Sequence, residues 1–218
     1  MNPPCILLLG GSFDPVHAGH IGLAHYFCTL LHPDELRLIP AGQPWQKPGL
    51  KTAAEHRIAM LKLAFQQWPV TVHVDTLEIQ REGPSYTVET LRELRRTLGE
   101  QASLLWIIGA DQLANLHTWH EWRELFALTN LCIAARPGYV IDQAALDSEV
   151  VHEISRRVAN PSQLKQTACG LCFIAYNLAW EVSSTALRES LRQGESVKGL
   201  LPTPVLDYAQ QHHLYQTT

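Results

Sequence analysis

The 218-residue chain has no basic excess: 17 Lys and Arg stand against 21 Asp and Glu, a formal net charge of −4. Proteins that grip nucleic-acid backbones in general carry a cationic surplus, so no nucleic-acid partner is expected. No stretch approaches the roughly 20 apolar residues that span a bilayer. The apolar run Cys5–Leu9 is short and lacks a basic leader, so neither a membrane partner nor a secretory signal is expected. Cysteine is sparse, and its five positions (5, 28, 132, 169 and 172) are odd in number and scattered. That excludes a disulfide framework and points to a reducing, cytoplasmic location. Cys169 and Cys172 have half-site spacing, but no second pair completes a metal site. Internal repeats, low-complexity tracts, the Gly-x-Gly-x-x-Gly fingerprint and a Lys-containing P-loop are all missing.

What is present is an alternation. Cys5–Leu9, Glu35–Pro40, Val70–Asp75, Ser103–Ile108, Asn130–Ala135 and Leu171–Ala175 are short, almost continuously apolar, and read as strands covered on both faces. Gly19–Leu31, Ala53–Gln67, Thr87–Leu98, Glu121–Ala127 and Asp142–Val158 read as helices between them. Ser184–Gln193 and Thr203–His212 add two more in the tail. The pattern predicts one α/β domain over residues 1–218, a doubly wound parallel sheet, with residues 183–218 forming a C-terminal helical part. Ligands in such folds sit beyond the carboxyl ends of the strands. The Pro- and Gly-containing stretch Ala41–Leu50 is the one long irregular segment, and it is expected to be mobile.

The segment with the most chemistry follows the first strand: Gly10-Gly11-Ser12-Phe13-Asp14-Pro15-Val16-His17-Ala18-Gly19-His20. Two glycines allow a close backbone approach. His17 and His20, three apart, share a face at the start of a helix. Backbone N–H groups, the positive helix end and two imidazoles together suit a polyphosphate. A metal held by the His pair, or histidines that only cap or pack, are the alternatives; no acid or thiol set is spaced to finish a metal shell.

This segment resembles the signature of the HxGH nucleotidylyltransferase superfamily, which is also similar to class I aminoacyl-tRNA synthetases. The resemblance implies a Rossmann-like fold in which His17 and His20 bind the ATP phosphates and stabilise the transition state at the α-phosphate. Ser183-Ser184-Thr185-Ala186-Leu187-Arg188 fits the superfamily's second motif, Ser-x-Thr-x-x-Arg. Its hydroxyls at a helix start could cap or bind an anion, and Arg188 one turn on offers a planar cationic fork.

Three other segments leave alternatives open. Asp111, after Ile107-Ile108-Gly109-Ala110, could accept from ribose hydroxyls or cap the next helix. Trp119, in Thr118-Trp119-His120, could be a packing anchor or stack on an aromatic base. Gly83-Pro84-Ser85-Tyr86-Thr87 could be a plain cap or a set of donors to an anion.

With Arg136-Pro137-Gly138-Tyr139, these segments resemble the bacterial nicotinate mononucleotide adenylyltransferase family over nearly the whole chain, from Leu9 to about Tyr215. The resemblance implies an ATP site drawn from Gly10, Gly11, Ser12, Phe13, His17, His20, Gly109, Asp111, Ser183, Thr185 and Arg188. It implies a mononucleotide site from Lys47, Ser85, Tyr86, Thr87, Trp119, His120 and Arg136. Trp119 would stack on the pyridine, while Thr87 and backbone amide near His120 would hold the carboxylate. Asp111 would contact the adenosine ribose, Lys47 would reach the phosphates, and Arg136 would lie on the mononucleotide side. His17, His20, Arg188 and Lys47 are the implied catalytic set. Mg²⁺ is expected to arrive with ATP and no protein metal site is expected. The chain departs from the family in its loop Gln43-Pro44-Trp45-Gln46-Lys47, where the family commonly has Pro-Pro-His and a base, and at His120, where a larger aromatic is common.

The implied activity moves the adenylyl group of ATP to nicotinate mononucleotide. The rivals are the same chemistry on phosphopantetheine or nicotinamide mononucleotide, a nucleotide-binding module without catalysis, and an RNA-binding synthetase fragment. The last lacks the length for a tRNA-binding domain.

Overall fold

A computed structural model describes residues 3–45, 50–135, 146–176, 178 and 182–216. Six strands form one sheet: β1 (Cys5–Gly11), β2 (Glu35–Pro40), β3 (Thr71–Val74), β4 (Ser103–Gly109), β5 (Asn130–Ala134) and β6 (Cys172–Ala175). Their order is β3-β2-β1-β4-β5-β6 and every pairing is parallel. The order reverses between β1 and β4, where Leu9 lies opposite Ile107. This is the doubly wound sheet expected from the alternation.

The continuous apolar strands divide by the two-residue period of the backbone. Cys5, Leu7 and Leu9, with Leu105, Ile107, Cys132 and Ala134, face one core. Ile6 and Leu8, with Leu104, Trp106, Ile108, Leu131 and Ile133, face the other. Helices α1 (Ala18–Leu31) and α2 (Ala54–Ala64) close the first layer through Phe27, Leu31, Met60 and Leu61. Helix α3 is the four-residue turn Leu77–Gln80, and α4 (Thr87–Leu98) buries Val88, Leu91 and Leu94 in the second layer. The spacing of those three residues is the 3.6-residue stripe seen in the sequence.

After β4 comes a 3₁₀ segment, Ala110–Thr118, in the place where Asp111 was weighed as the cap of a following helix. The single helix expected over Glu121–Ala127 is instead a 3₁₀ turn, Trp122–Glu124, followed by α5 (Leu125–Leu128). Glu121 takes a left-handed φ of 48°, so it cannot start a regular α-helix. The helix expected over Asp142–Val158 is α6 (Ser148–Ser155), with Asp147 capping the amides of Glu149 and Val150; residues 142–145 lie outside the described residues. Helix α7 (Pro161–Gln166) was not anticipated, though Asn160-Pro161-Ser162-Gln163 is a start signal: Asn160 and Gln163 each bond the other's backbone amide. The tail supplies α8 (Ser184–Arg192) and α9 (Thr203–Gln211), both anticipated. Helix α9 packs on α2, where Tyr208 Oη and His56 Nδ1 lie 3.0 Å apart. Among the described residues no helix is long and apolar enough to cross a membrane.

Candidate active site

A cavity of about 750 Å³ opens beyond the carboxyl ends of β1 and β4. That is the switch point of the sheet, where a doubly wound fold leaves its crevice. Both halves of the sequence signature reach it: Gly10, Gly11, Ser12, His17 and His20 from one end of the chain, Ser183, Thr185 and Arg188 from the other. Gly109, Asp111, Ser85, Thr87 and Trp119 also line it. Lys47, Arg136 and part of the Ala41–Leu50 stretch (residues 46–49) lie outside the described residues.

The signature loop is locked from below. Arg57 of α2, with only 2% of its surface exposed, donates from Nη1 to the Ser12 carbonyl at 2.9 Å. Burial pulls its pKa down, and the neighbouring Asp14 carboxylate opposes that pull. Asp14 is also 2% exposed; its Oδ2 accepts the Lys51 amide at 3.2 Å and its Oδ1 the Tyr215 hydroxyl at 2.8 Å. The Asp14–Pro15 peptide is cis. None of Asp14, Arg57 or Tyr215 was singled out from the sequence. Asp14 lies inside the quoted signature segment, whereas Arg57 and Tyr215 reach that loop across the fold, and contacts between distant residues leave no periodic trace.

His17 is the N-cap of α1, and its backbone amide donates to His20 Nδ1 at 3.3 Å. The two imidazoles stack with centroids 3.8 Å apart. The His17 ring is buried, and burial lowers its pKa from 6.5 to about 4, so it is neutral at neutral pH. Its Nδ1 lies toward the first-turn amide of His20 without forming a bond of full geometry. The Gly19 position explains the spacing: a Cβ there would meet the His17 ring at 3.1 Å. Gly19 therefore seats His17.

Gly10 and Gly11 end a regular strand. A Cβ on Gly10 would stand 2.7 Å from Trp106 Cζ2, so the missing side chain makes room for that indole. The Phe13 side chain lies apart from the cavity surface. It is wholly buried, with φ 47°, under Gly11 and edge-on to His20 at 4.9 Å. Its ring props the His20 imidazole and takes no part in the cavity wall.

Arg188 donates from Nη1 to the Asp14 carbonyl at 2.6 Å and from Nη2 to Thr185 Oγ1 at 3.3 Å. Ser184 Oγ reaches the Pro15 carbonyl at 3.3 Å. Ser183, the N-cap of α8, makes no side-chain cap bond. Two motifs some 170 positions apart thus form one surface carrying a guanidinium, hydroxyls and the first turn of α8.

On the far side, Asp111 is exposed in the wall, with Gln112 Nε2 donating to its Oδ2 at 3.0 Å. Its side chain caps no helix: Gly109 is the N-cap residue of the 3₁₀ segment, with no side-chain cap bond. Trp119 lines the cavity, and among the described residues its buried Nε1 has no hydrogen-bond partner. Ser85 is engaged elsewhere than the sequence suggested: its Oγ accepts the Gly42 and Gln43 amides at 3.1 and 3.0 Å. It also bonds Glu78, a buried carboxyl whose pKa burial raises against that bond and the one from Thr90. Ser85 thereby pins the loop after β2 to the start of α4. Tyr86 and His120 stack on each other at 4.5 Å beside the wall and do not line it. Trp45, Glu78 and Trp106 do line it and were not foreseen as site residues.

Among the described residues no group of three or more His, Cys, Asp or Glu side chains is placed to hold a metal ion. A divalent ion in this cavity would be carried on ligand oxygens, which suits Mg²⁺ with its preference for phosphate and water.

The fold and this two-motif cavity define a nucleotidyltransferase: residues 8–190 match the family described as cytidylyltransferase-like. A protein of Herminiimonas arsenicoxydans named "Probable nicotinate-nucleotide adenylyltransferase" is 50% identical over 98% of this chain and 97% of its own length. One of the same name from Chromobacterium violaceum is 44% identical over 96% and 97%. Among solved structures, a Plasmodium falciparum nicotinic acid mononucleotide adenylyltransferase complexed with NaAD superposes with a TM-score of 0.71. At 18% identity over 97% of each chain, it speaks to the fold. The chain belongs to the nicotinate-nucleotide adenylyltransferase family.

Proposed function

We propose that this protein transfers the adenylyl group of ATP to nicotinate mononucleotide, yielding deamido-NAD and pyrophosphate, as a step of NAD biosynthesis. The observation that carries the reading is the convergence of His17, His20 and Arg188 with Asp111, Thr87 and Trp119 on one cavity, in a chain 50% identical to a relative of that name. An ionised phosphate of the mononucleotide attacks the α-phosphorus in line; the new P–O bond forms as the α–β bridge breaks and pyrophosphate leaves. The nucleophile is already an anion, so positioning and charge stabilisation do the work. His17, His20 and Arg188 take the phosphates, with Ser183 and Thr185 at the start of α8 supporting them. Gly10, Gly11, Ser12, Gly109 and Asp111 line the adenosine side, Asp111 receiving the ribose hydroxyls. Trp119 stacks on the pyridine and Thr87 receives its carboxylate, with backbone near His120 and Tyr86. Lys47 and Arg136 belong to the same set by family resemblance. Mg²⁺ supplies charge neutralisation on the ATP phosphates. The whole chain acts as one nucleotidyltransferase domain in the cytoplasm.

The test is pyrophosphate release from Mg-ATP with nicotinate mononucleotide, nicotinamide mononucleotide or phosphopantetheine at equal concentration. A strong preference for the nicotinate acceptor is expected. Turnover only with another acceptor would overturn the substrate, and absence of turnover in ATP-binding protein would overturn the activity.

A further inference from the structure

The far end of the chain is tied to the signature loop. After α9 the backbone folds back, with the Leu214 amide donating to the Ala209 carbonyl at 2.8 Å. His213 and Tyr215 adopt left-handed φ values of 52° and 63°. Non-glycine residues hold such conformations only where surrounding structure requires it. The outcome is that the Tyr215 hydroxyl donates to Asp14 Oδ1 at 2.8 Å, across 201 positions.

The chemistry around Asp14 gives that contact a consequence. Its carboxylate is buried beside Arg188, yet Arg188 Nη1 stands 3.9 Å from Oδ2 and bonds the Asp14 backbone carbonyl instead. Both carboxylate oxygens are taken: Oδ1 by Tyr215, Oδ2 by the Lys51 amide. A carboxylate and a guanidinium left to themselves form a two-point ion pair, which would spend the cation on the protein. Burial raises the pKa of the Tyr215 phenol, so it stays a neutral donor at working pH.

We infer that Tyr215 is a positioning residue: by occupying Asp14 Oδ1 it keeps the carboxylate from turning onto Arg188, and so leaves the guanidinium available to polyphosphate at the cavity wall. The inference rests on the ATP site of the reading above, not on the identity of the acceptor.

The experiment is Mg-ATP binding by calorimetry for the parent, Tyr215→Phe, Asp14→Asn and the double variant, with thermal unfolding of each. Tyr215→Phe keeps the ring and removes one hydroxyl. Its ATP affinity is expected to fall about tenfold, the scale of a hydrogen bond to a charged group, while the melting temperature stays close to the parent's. In the double variant the uncharged Asn cannot form the diverting ion pair, so affinity should recover to that of Asp14→Asn alone. Affinity of Tyr215→Phe within twofold of the parent overturns the inference. So does a loss that the double variant does not relieve, since that is the behaviour of a packing contact. If the parent turns over a different acceptor, the substrate reading fails and this comparison stands; if the parent does not bind Mg-ATP, both fall.

Discussion

The imidazoles of His17 and His20 stack at 3.8 Å with 28° between their planes, and the amide of the first donates to Nδ1 of the second. An Nδ1 that accepts leaves the proton of a neutral ring on Nε2. The helix start thus sets the tautomer of a neutral His20 ring, while the stacking holds His17 against it. This arrangement leaves His20 Nε2 for donation to a phosphate oxygen.

If His20 donates to the reacting phosphate, His20→Ala lowers kcat by about 10²–10³, the range for loss of one donor to developing charge. Steady-state rates on variants shown to be folded check it. A loss of only a few-fold would remove His20 from that role.

The buried His17 ring makes stability depend on pH. Its pKa is about 4 in the folded protein, against 6.5 for an unburied histidine. A depressed base is protonated more readily in the unfolded chain, so its contribution is full above pH 6.5 and declines as pH falls toward 4. The native state should lose roughly 2 kcal/mol from this group alone between pH 7 and pH 5. Urea midpoints of the parent and His17→Gln, compared across that window, test it; equal acid sensitivity in the two would refute the account.

Much of this was legible in the sequence, and what was not has physical reasons. Apolar runs such as Cys5–Leu9 specify buried parallel strands because both faces demand hydrophobic residues. The short 3₁₀ segment Ala110–Thr118 carries no such period, so its extent could not be read from spacing. At the site, His17, His20 and Arg188 stand in motifs and were found as such. Phe13 and Ser85 stand in motifs too, but the Phe13 side chain lies under Gly11, and the Ser85 hydroxyl, although Ser85 is on the wall, is engaged in pinning Gly42 and Gln43. Motif membership marks a segment, while only the fold says which side chains turn toward the cavity. Asp14, Arg57 and Tyr215 are joined through long-range contacts that no spacing rule encodes.

Trp119 carries the proposed stacking on the pyridine. Trp119→Ala should raise KM for nicotinate mononucleotide about tenfold, in line with an aromatic contact of roughly 1 kcal/mol plus lost burial, and leave KM for ATP within about twofold. Trp119→Phe should retain most of the affinity. Equal effects on both substrates would show that the ring only supports the wall.

Two glycines at neighbouring strand ends separate packing from binding. In Gly10→Ala the new Cβ lies 2.7 and 2.9 Å from indole carbons of Trp106, a large ring packed in the second core layer. Such overpacking should cost about 1–3 kcal/mol and lower the melting temperature. In Gly109→Ala the clash is with Asp111 Oδ1 at 2.3 Å, and Asp111 is an exposed side chain free to swing away. Stability should therefore change little, while the displaced carboxylate loses its place against the ribose and KM for ATP rises several-fold. Melting curves and ATP kinetics on the two variants check the pair. If Gly109→Ala keeps the parent's KM for ATP, Asp111 does not hold the ribose, because its carboxylate cannot remain where the new methyl stands.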